Sequence, residues 1–151
     1  MTKPRLAVRA IILQNNRLLM VNAWPEGKSD LWCAPGGGVE AGTSLPENLQ
    51  REVQEECGLI IAVGAPCLVN EFHDPAGTFH QVDIYFHAEI VAGALDPTWR
   101  DPEGIVTTRR FVTEPELRQM RFKPDLLPQL AWGAAAGAGG ALYDPLEPII
   151  R

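Results

Sequence analysis

Leu6, Val8, Ala10 and Ile12 alternate with Arg5, Ala7, Arg9 and Ile11 as far as Asn15-Asn16, and the pattern resumes over residues 17–24 with Leu18, Leu19, Met20 and Val21. Strand-forming runs on either side of a two-Asn turn predict a β-hairpin. PEGKSD reads as a turn and LWCAP as a short strand, after which Gly36, Gly37 and Gly38 read as a loop. From Leu45 to Cys57 the period changes. Leu45, Leu49, Val53 and Cys57 form one apolar stripe on a helix at about 100° per residue. Ser44 and Glu47 have capping-box spacing, Pro46 falls in the first turn where it is tolerated, and Gly58 provides the stop.

The segments LIIAVGAPCLVNEF and HQVDIYFHAEIVAG are rich in β-branched and aromatic residues. Each predicts a strand, or a strand pair broken at Gly64-Ala65-Pro66, in a mixed sheet with the first hairpin. TRRFVTEPELRQM predicts a strand end passing into a short helix capped by Thr113 with Glu116 at the box position, and KPDLLPQLAW a second helical piece. The chain therefore divides into a domain over residues 1–132 and a segment over residues 133–151. In the latter a Gly/Ala-rich linker, GAAAGAGGA, leads to LYDPLEPIIR. That segment carries enough apolar residues to be expected to dock on its own domain or on a partner subunit.

Composition narrows the class. With 151 residues, 46% hydrophobic and 21% charged, the chain reads as one ordinary soluble domain. Cys33, Cys57 and Cys67 are odd in number and form no CxxC pair, which argues against a disulfide framework and a thiolate metal site. No run approaches a membrane span and the N-terminus lacks a continuous apolar core, so cytoplasmic is the default expectation, with no membrane partner. A net charge of −6 argues against a general nucleic-acid binder. It leaves room for a small anionic substrate that arrives with its own cation.

The chemistry lies in the helix. Glu52, Glu55 and Glu56 fall within one edge of it beside the apolar stripe, and Arg51 is one turn before Glu55. A solvated acidic face is the bland reading of such a run. Crowded carboxylates repel unless a cation sits among them, and hard oxygen ligands suit Mg²⁺ or Mn²⁺. The upstream glycines allow a sharp turn that brings a loop carbonyl beside the same groups.

The stretch from Gly37 to Leu59 resembles the Nudix box of the Nudix hydrolase family. The matching positions are Gly37, Arg51, Glu52, Val53, Glu55, Glu56, Gly58 and Leu59, eight of the nine that the box specifies. Thr43 stands where the box has its first Glu, an acid that in the family helps orient the helix Arg, and Glu40 lies nearby as a partial substitute.

The resemblance implies an α/β Nudix fold, a mixed β-sheet sandwiched between helices, and a Mg²⁺-dependent pyrophosphohydrolase acting on a nucleoside diphosphate linked to another moiety. It implies Gly36 (through its carbonyl), Glu52, Glu55 and Glu56 as metal ligands, with Mn²⁺ as a substitute ion and Arg51 as an orienting residue. Glu52 is the first choice of general base, with Asp101 and Glu103 as distal-loop alternatives. Arg9, a charge between apolar strand neighbours, either faces solvent or clamps substrate phosphate. The aromatics Trp24, Trp32, Phe72, Phe79, Tyr85 and Trp99 read as core groups or base-stacking platforms. The candidate partner is a small nucleoside diphosphate derivative and the candidate assembly a homodimer. The competing class is a catalytically weak Nudix-like nucleotide-binding sensor, which Thr43 makes conceivable.

Overall fold

The computed structural model describes residues 3–24, 28–133 and 140–150. The elements in chain order are β1 (Arg5–Gln14), β2 (Arg17–Asn22), β3 (Leu31–Trp32), β4 (Gly36–Gly38), α1 (Leu45–Cys57), β5 (Ile60–His73) and β6 (His80–Ala92). They continue with β7 (Thr108–Val112), α2 (Glu114–Arg118), β8 (Arg121–Phe122), α3 (Leu127–Trp132) and β9 (Leu142–Pro148).

The first hairpin forms, with Asn15 and Asn16 both in the left-handed region (φ 52° and 63°) as a tight two-residue turn demands. Its strands stay paired only near the turn, where Leu13 faces Leu18 and Gln14 faces Arg17. Beyond that point β2 diverges to pair with β7, and the glycine strand β4 pairs with the vacated edge of β1, placing Gly36 opposite Arg9 and Gly37 opposite Val8. The expected glycine loop is thus a short strand. Glycine disfavours strands by propensity, but here the approach leaves no room for a side chain: a Cβ on Gly36 (φ 152°) would lie 1.9 Å from the Val8 carbonyl oxygen.

The mixed sheet has the order β7-β2-β1-β6-β5-β9, with β4 off this path against β1. β1 and β6 run parallel, while β5 and β6 form a long antiparallel pair. The segment around Gly64-Ala65-Pro66 does not split β5 in two. The strand continues through it with register shifts, because Pro66 has no N–H to give the ladder.

Alternate side chains feed two cores. Val8, Ala10, Ile12, Leu19 and Val21 pack with Leu49, Val53 and Cys57 of α1, whereas Ile11, Leu18, Met20 and Tyr85 pack with Leu117 of α2 and Leu127 and Leu130 of α3. Helices therefore cover both faces of the mixed sheet, giving the α/β/α arrangement. The three cysteines are unpaired. Among the described residues no helix is long and apolar enough to cross a membrane.

Residues 134–139, most of the Gly/Ala-rich linker, and residues 25–27 of the PEGKSD turn lie outside the described residues. β9 adds in parallel to the edge of β5, with Leu142 opposite Leu68 and Asp144 opposite Asn70. Asn70 Nδ2 donates to Asp144 Oδ2 at 2.9 Å, Lys123 Nζ lies 3.4 Å from Glu147 Oε2, and the Ile149 amide donates to the His73 carbonyl at 2.8 Å. Removing residues 141–151 should uncover the β5 edge and cost roughly 2 kcal/mol, a fall of about 4–8 °C in melting temperature for a domain of this size. An unchanged thermal melt would contradict this contact in solution.

Candidate active site

α1 is built to hold its polar edge in place. Ser44 caps the N-terminus by accepting from the Glu47 amide (3.2 Å), and Gly58 closes the C-terminus in the left-handed region with φ 70°. Trp99 packs its ring against Gly58 and donates from Nε1 to the Glu55 carbonyl at 2.9 Å, while Arg109 Nε donates to the Glu56 carbonyl. These side chains satisfy carbonyls that the helix end leaves open. Trp99 is therefore engaged in structure.

Beside the apolar row Leu49, Val53 and Cys57 runs a second row, Asn48, Glu52 and Glu56, spaced four residues apart and buried. β4 lies directly over it. The Gly36 amide donates to Glu56 Oε2 at 3.0 Å, and a Cβ on Gly37 would sit 2.5 Å from Glu52 Oε2. The glycines thus bring backbone against the carboxylates, and toward Glu56 it is the Gly36 N–H that points. The Gly36 carbonyl turns the other way, 3.5 Å from Arg9 Nη1.

Arg51 supplies positive charge to three carboxylates. Its Nη1 lies 3.1 Å from Glu52 Oε1, 3.6 Å from Glu55 Oε2 and 3.7 Å from Glu40 Oε1. Glu40 therefore stands beside Arg51 as the loop spacing suggested. The charge remains under-compensated. Glu55 Oε2 is sheltered from solvent without a hydrogen bond. Burial pushes the Glu52 carboxyl above its usual range; Arg51 opposes this, and the charges of Glu55 and Glu103 reinforce it. Burial also pushes Glu56 up to about 8 against the pull of Arg9 and the Gly36 amide, with Glu52 and Asp101 adding to the rise. Among the described residues no three metal-binding side chains converge around a common point in the positions seen. A sheltered Glu55 oxygen with an ion pair but no hydrogen bond, and two carboxyls that resist ionisation, are nevertheless what a site for a hard cation presents when its charge is unmet.

A pH prediction follows from Glu56. In the unfolded chain its proton leaves near 4.5, whereas in the folded chain it stays on up to about 8. The folded state binds the extra proton between those values, so the stability it contributes is complete below the lower value and lost as pH rises through the upper one. In chelator, the melting temperature should fall between about pH 5 and about pH 8. A flat profile would contradict the burial of Glu56.

Arg9 lines a cavity of about 480 Å³, together with Arg5, Gln81, Asp83, Phe72 and Phe79. Its side chain is 19% exposed, and Nε lies 3.9 Å from Asp83 Oδ1 while Nη1 donates to the Ala34 carbonyl at 3.2 Å. Burial works against the charge, but Asp83, together with Cys33, Tyr85 and Glu56, more than offsets it and lifts the Arg9 pKa above its ordinary value. Of the two positions open to Arg9, the structure has it at the cavity. Gly36 is the junction between this cavity and the carboxylates, with its amide on Glu56 and its carbonyl toward Arg9.

Asp83 and Gln81 escaped the sequence reading. Gln81 Nε2 donates to Asp83 Oδ1 at 2.8 Å, and both are 2% exposed. Their signal was two polar residues at period two, on the same face of β6 as Tyr85. Asp101, one of the distal acids, is occupied: it accepts from the amides of Glu103 (3.0 Å), Ile105 (3.1 Å) and Val106 (2.9 Å). Glu103 is exposed. Trp24 and Phe79 reach the cavity rim, 36% and 40% exposed.

The sequence pattern of the NUDIX domain matches residues 3–133, which is most of the chain. The chain belongs to the Nudix family. This Nudix domain is 32% identical over 92 residues to the ADP-ribose pyrophosphatase of Methanocaldococcus jannaschii, covering 61% of this chain and 54% of that protein. It is 29% identical over 93 residues to the putative ADP-ribose pyrophosphatase YjhB of Bacillus subtilis, covering 60% and 43%. The match thus spans about half the length of these curated relatives. A NUDIX hydrolase structure from Nitrosomonas europaea superposes with a TM-score of 0.74 at 23% identity over 91% of this chain and 93% of that one. A UDP-X diphosphatase superposes at 0.73 with 21% identity over 95% and 68%. Identities this low establish the Nudix fold and nothing finer.

Proposed function

We propose that this Nudix domain is a Mg²⁺-dependent pyrophosphohydrolase that cleaves the diphosphate of a nucleoside diphosphate linked to another moiety, with the ADP-ribose class first among candidate substrates. The observation that carries this reading is the under-compensated carboxylate row of α1, set across Gly36 from an Arg-lined cavity. The names of the curated relatives support the substrate class.

Glu52, Glu55 and Glu56 would hold the cation, with Mn²⁺ as a substitute, and the Gly36 carbonyl, turned toward Arg9, is not among the ligands. When bound, such an ion neutralises phosphate charge and makes a water acidic enough to attack near neutral pH. Glu52 would serve as the general base for that water, burial having raised its proton affinity above the usual carboxylate range. Arg51 holds Glu52 and Glu55 in register with each other. Arg9 binds phosphate oxygens through its guanidinium, and Asp83 keeps it ionised and aimed. The cavity wall of Phe72, Phe79 and Gln81 receives the nucleoside. Against the sensor alternative stands the retention of Arg51 among its carboxylates despite Thr43.

A panel of nucleoside diphosphate derivatives, including ADP-ribose and UDP-sugars, incubated with Mg²⁺ tests the reading. The expected result is a nucleoside monophosphate product from at least one member. Binding without product for every member would favour the sensor.

A further inference from the structure

Asn48 is 1% exposed, and its side-chain amide spends every hydrogen-bonding position on the site. Oδ1 accepts from Arg51 Nη2 at 3.0 Å and from the Glu40 backbone N–H at 2.9 Å. Nδ2 donates to the Ser44 carbonyl at 2.8 Å and the Thr43 carbonyl at 3.2 Å, with the Glu40 carbonyl and Thr43 Oγ1 further off at 3.4 and 3.5 Å. The amide cannot be turned over. A flip would set NH₂ against two donors and oxygen against two carbonyls.

We infer that Asn48 is the positioning residue for Arg51, doing through a neutral amide what an acid at position 43 would do through charge. This rests on the reading of α1 as a cation site. Asn48 joins Arg51 to loop 40–44, so that one side chain fixes the guanidinium from Nη2 while its Nη1 faces Glu52, Glu55 and Glu40. It also holds the Glu40 backbone, from which the Glu40 carboxylate reaches Arg51. Because the amide is uncharged, it orients Arg51 without drawing its charge from Glu52 and Glu55. An acid at position 43 would have to share the Arg51 Nη2 group with Asn48 while Asn48 is present. With Asn48 truncated, the space and the donor are both vacated, and position 43 already reaches that space through Oγ1.

The test is Mn²⁺ titration, read by electron paramagnetic resonance, on the full chain and on Asn48→Ala, Arg51→Ala, Asn48→Ala/Arg51→Ala and Asn48→Ala/Thr43→Glu. Asn48→Ala should weaken Mn²⁺ binding about five- to tenfold, as loss of a charge-assisted hydrogen bond to a positioning group implies. Adding Thr43→Glu should recover the affinity to within about twofold, and Asn48→Ala should add less than about twofold to Arg51→Ala. A second readout needs no metal: the Arg51 Nη2 hydrogens, observed by ¹⁵N NMR, should be protected from exchange in the parent and exchange faster in Asn48→Ala. A chain that binds no Mn²⁺ would sink the cation-site reading, and the exchange measurement would still decide the role of Asn48. The inference is overturned if the Arg51 Nη2 hydrogens are equally protected with and without Asn48, or if the Asn48 and Arg51 losses simply add.

Discussion

Glu56→Gln is expected to lower turnover at least about 100-fold while leaving the metal-free fold as stable as the parent or more so. Both halves come from one environment. Glu56 is 6% exposed and holds its proton up to about 8, so around neutral pH the metal-free parent carries a largely protonated carboxyl there. Glutamine resembles that protonated form in size and helix propensity, and its carbonyl oxygen still accepts the Gly36 amide. Folding therefore loses nothing. What glutamine cannot do is ionise, so it removes a charge that a bound cation would require. Steady-state turnover and a chelator-containing melt measure the two halves separately. Parental turnover in Glu56→Gln would remove this carboxylate from the mechanism, and a large drop in melting temperature would show that the charged form was stabilising.

How far the site could be read beforehand depended on how local its determinants are. α1 was legible to its end residues, because Ser44, Pro46, Gly58 and the Leu49–Val53–Cys57 stripe are all local signals. So was the pairing of Arg51 with Glu55 one turn on, seen at 3.6 Å. The glycine strand β4 was not, since its pairing comes from the divergence of β2 from β1, a tertiary event that propensity cannot register. Period two placed Arg9 on one face of β1 but gave no sign of which face. That was settled by the parallel register of β1 on β6, which sets Asp83 two residues from its partner Tyr85.

Asn48 was missed for another reason. A lone Asn in a helix reads as a surface residue, and its meaning emerges only when the loop holding Glu40 and Thr43 folds onto it. Its place four residues before Glu52 and eight before Glu56 was the available clue. Asp101 shows the reverse case. It had the chemistry of a base, but three loop amides had a prior claim on its oxygens.

Metal removal should have the largest effect of all. Glu52 and Glu55 share one guanidinium with Glu40, and a sheltered Glu55 oxygen without a hydrogen bond lies among them, so carboxylates outnumber the cation beside them. A substrate diphosphate brings further negative charge to the same place, and the resulting repulsion opposes binding unless a cation intervenes. The decisive measurement is turnover of the best substrate from the panel by protein stripped with chelator and dialysed, before and after Mg²⁺ or Mn²⁺ is returned. The account predicts background rates in the stripped protein and recovery on addition of either ion. Undiminished turnover in the verified metal-free protein would contradict it.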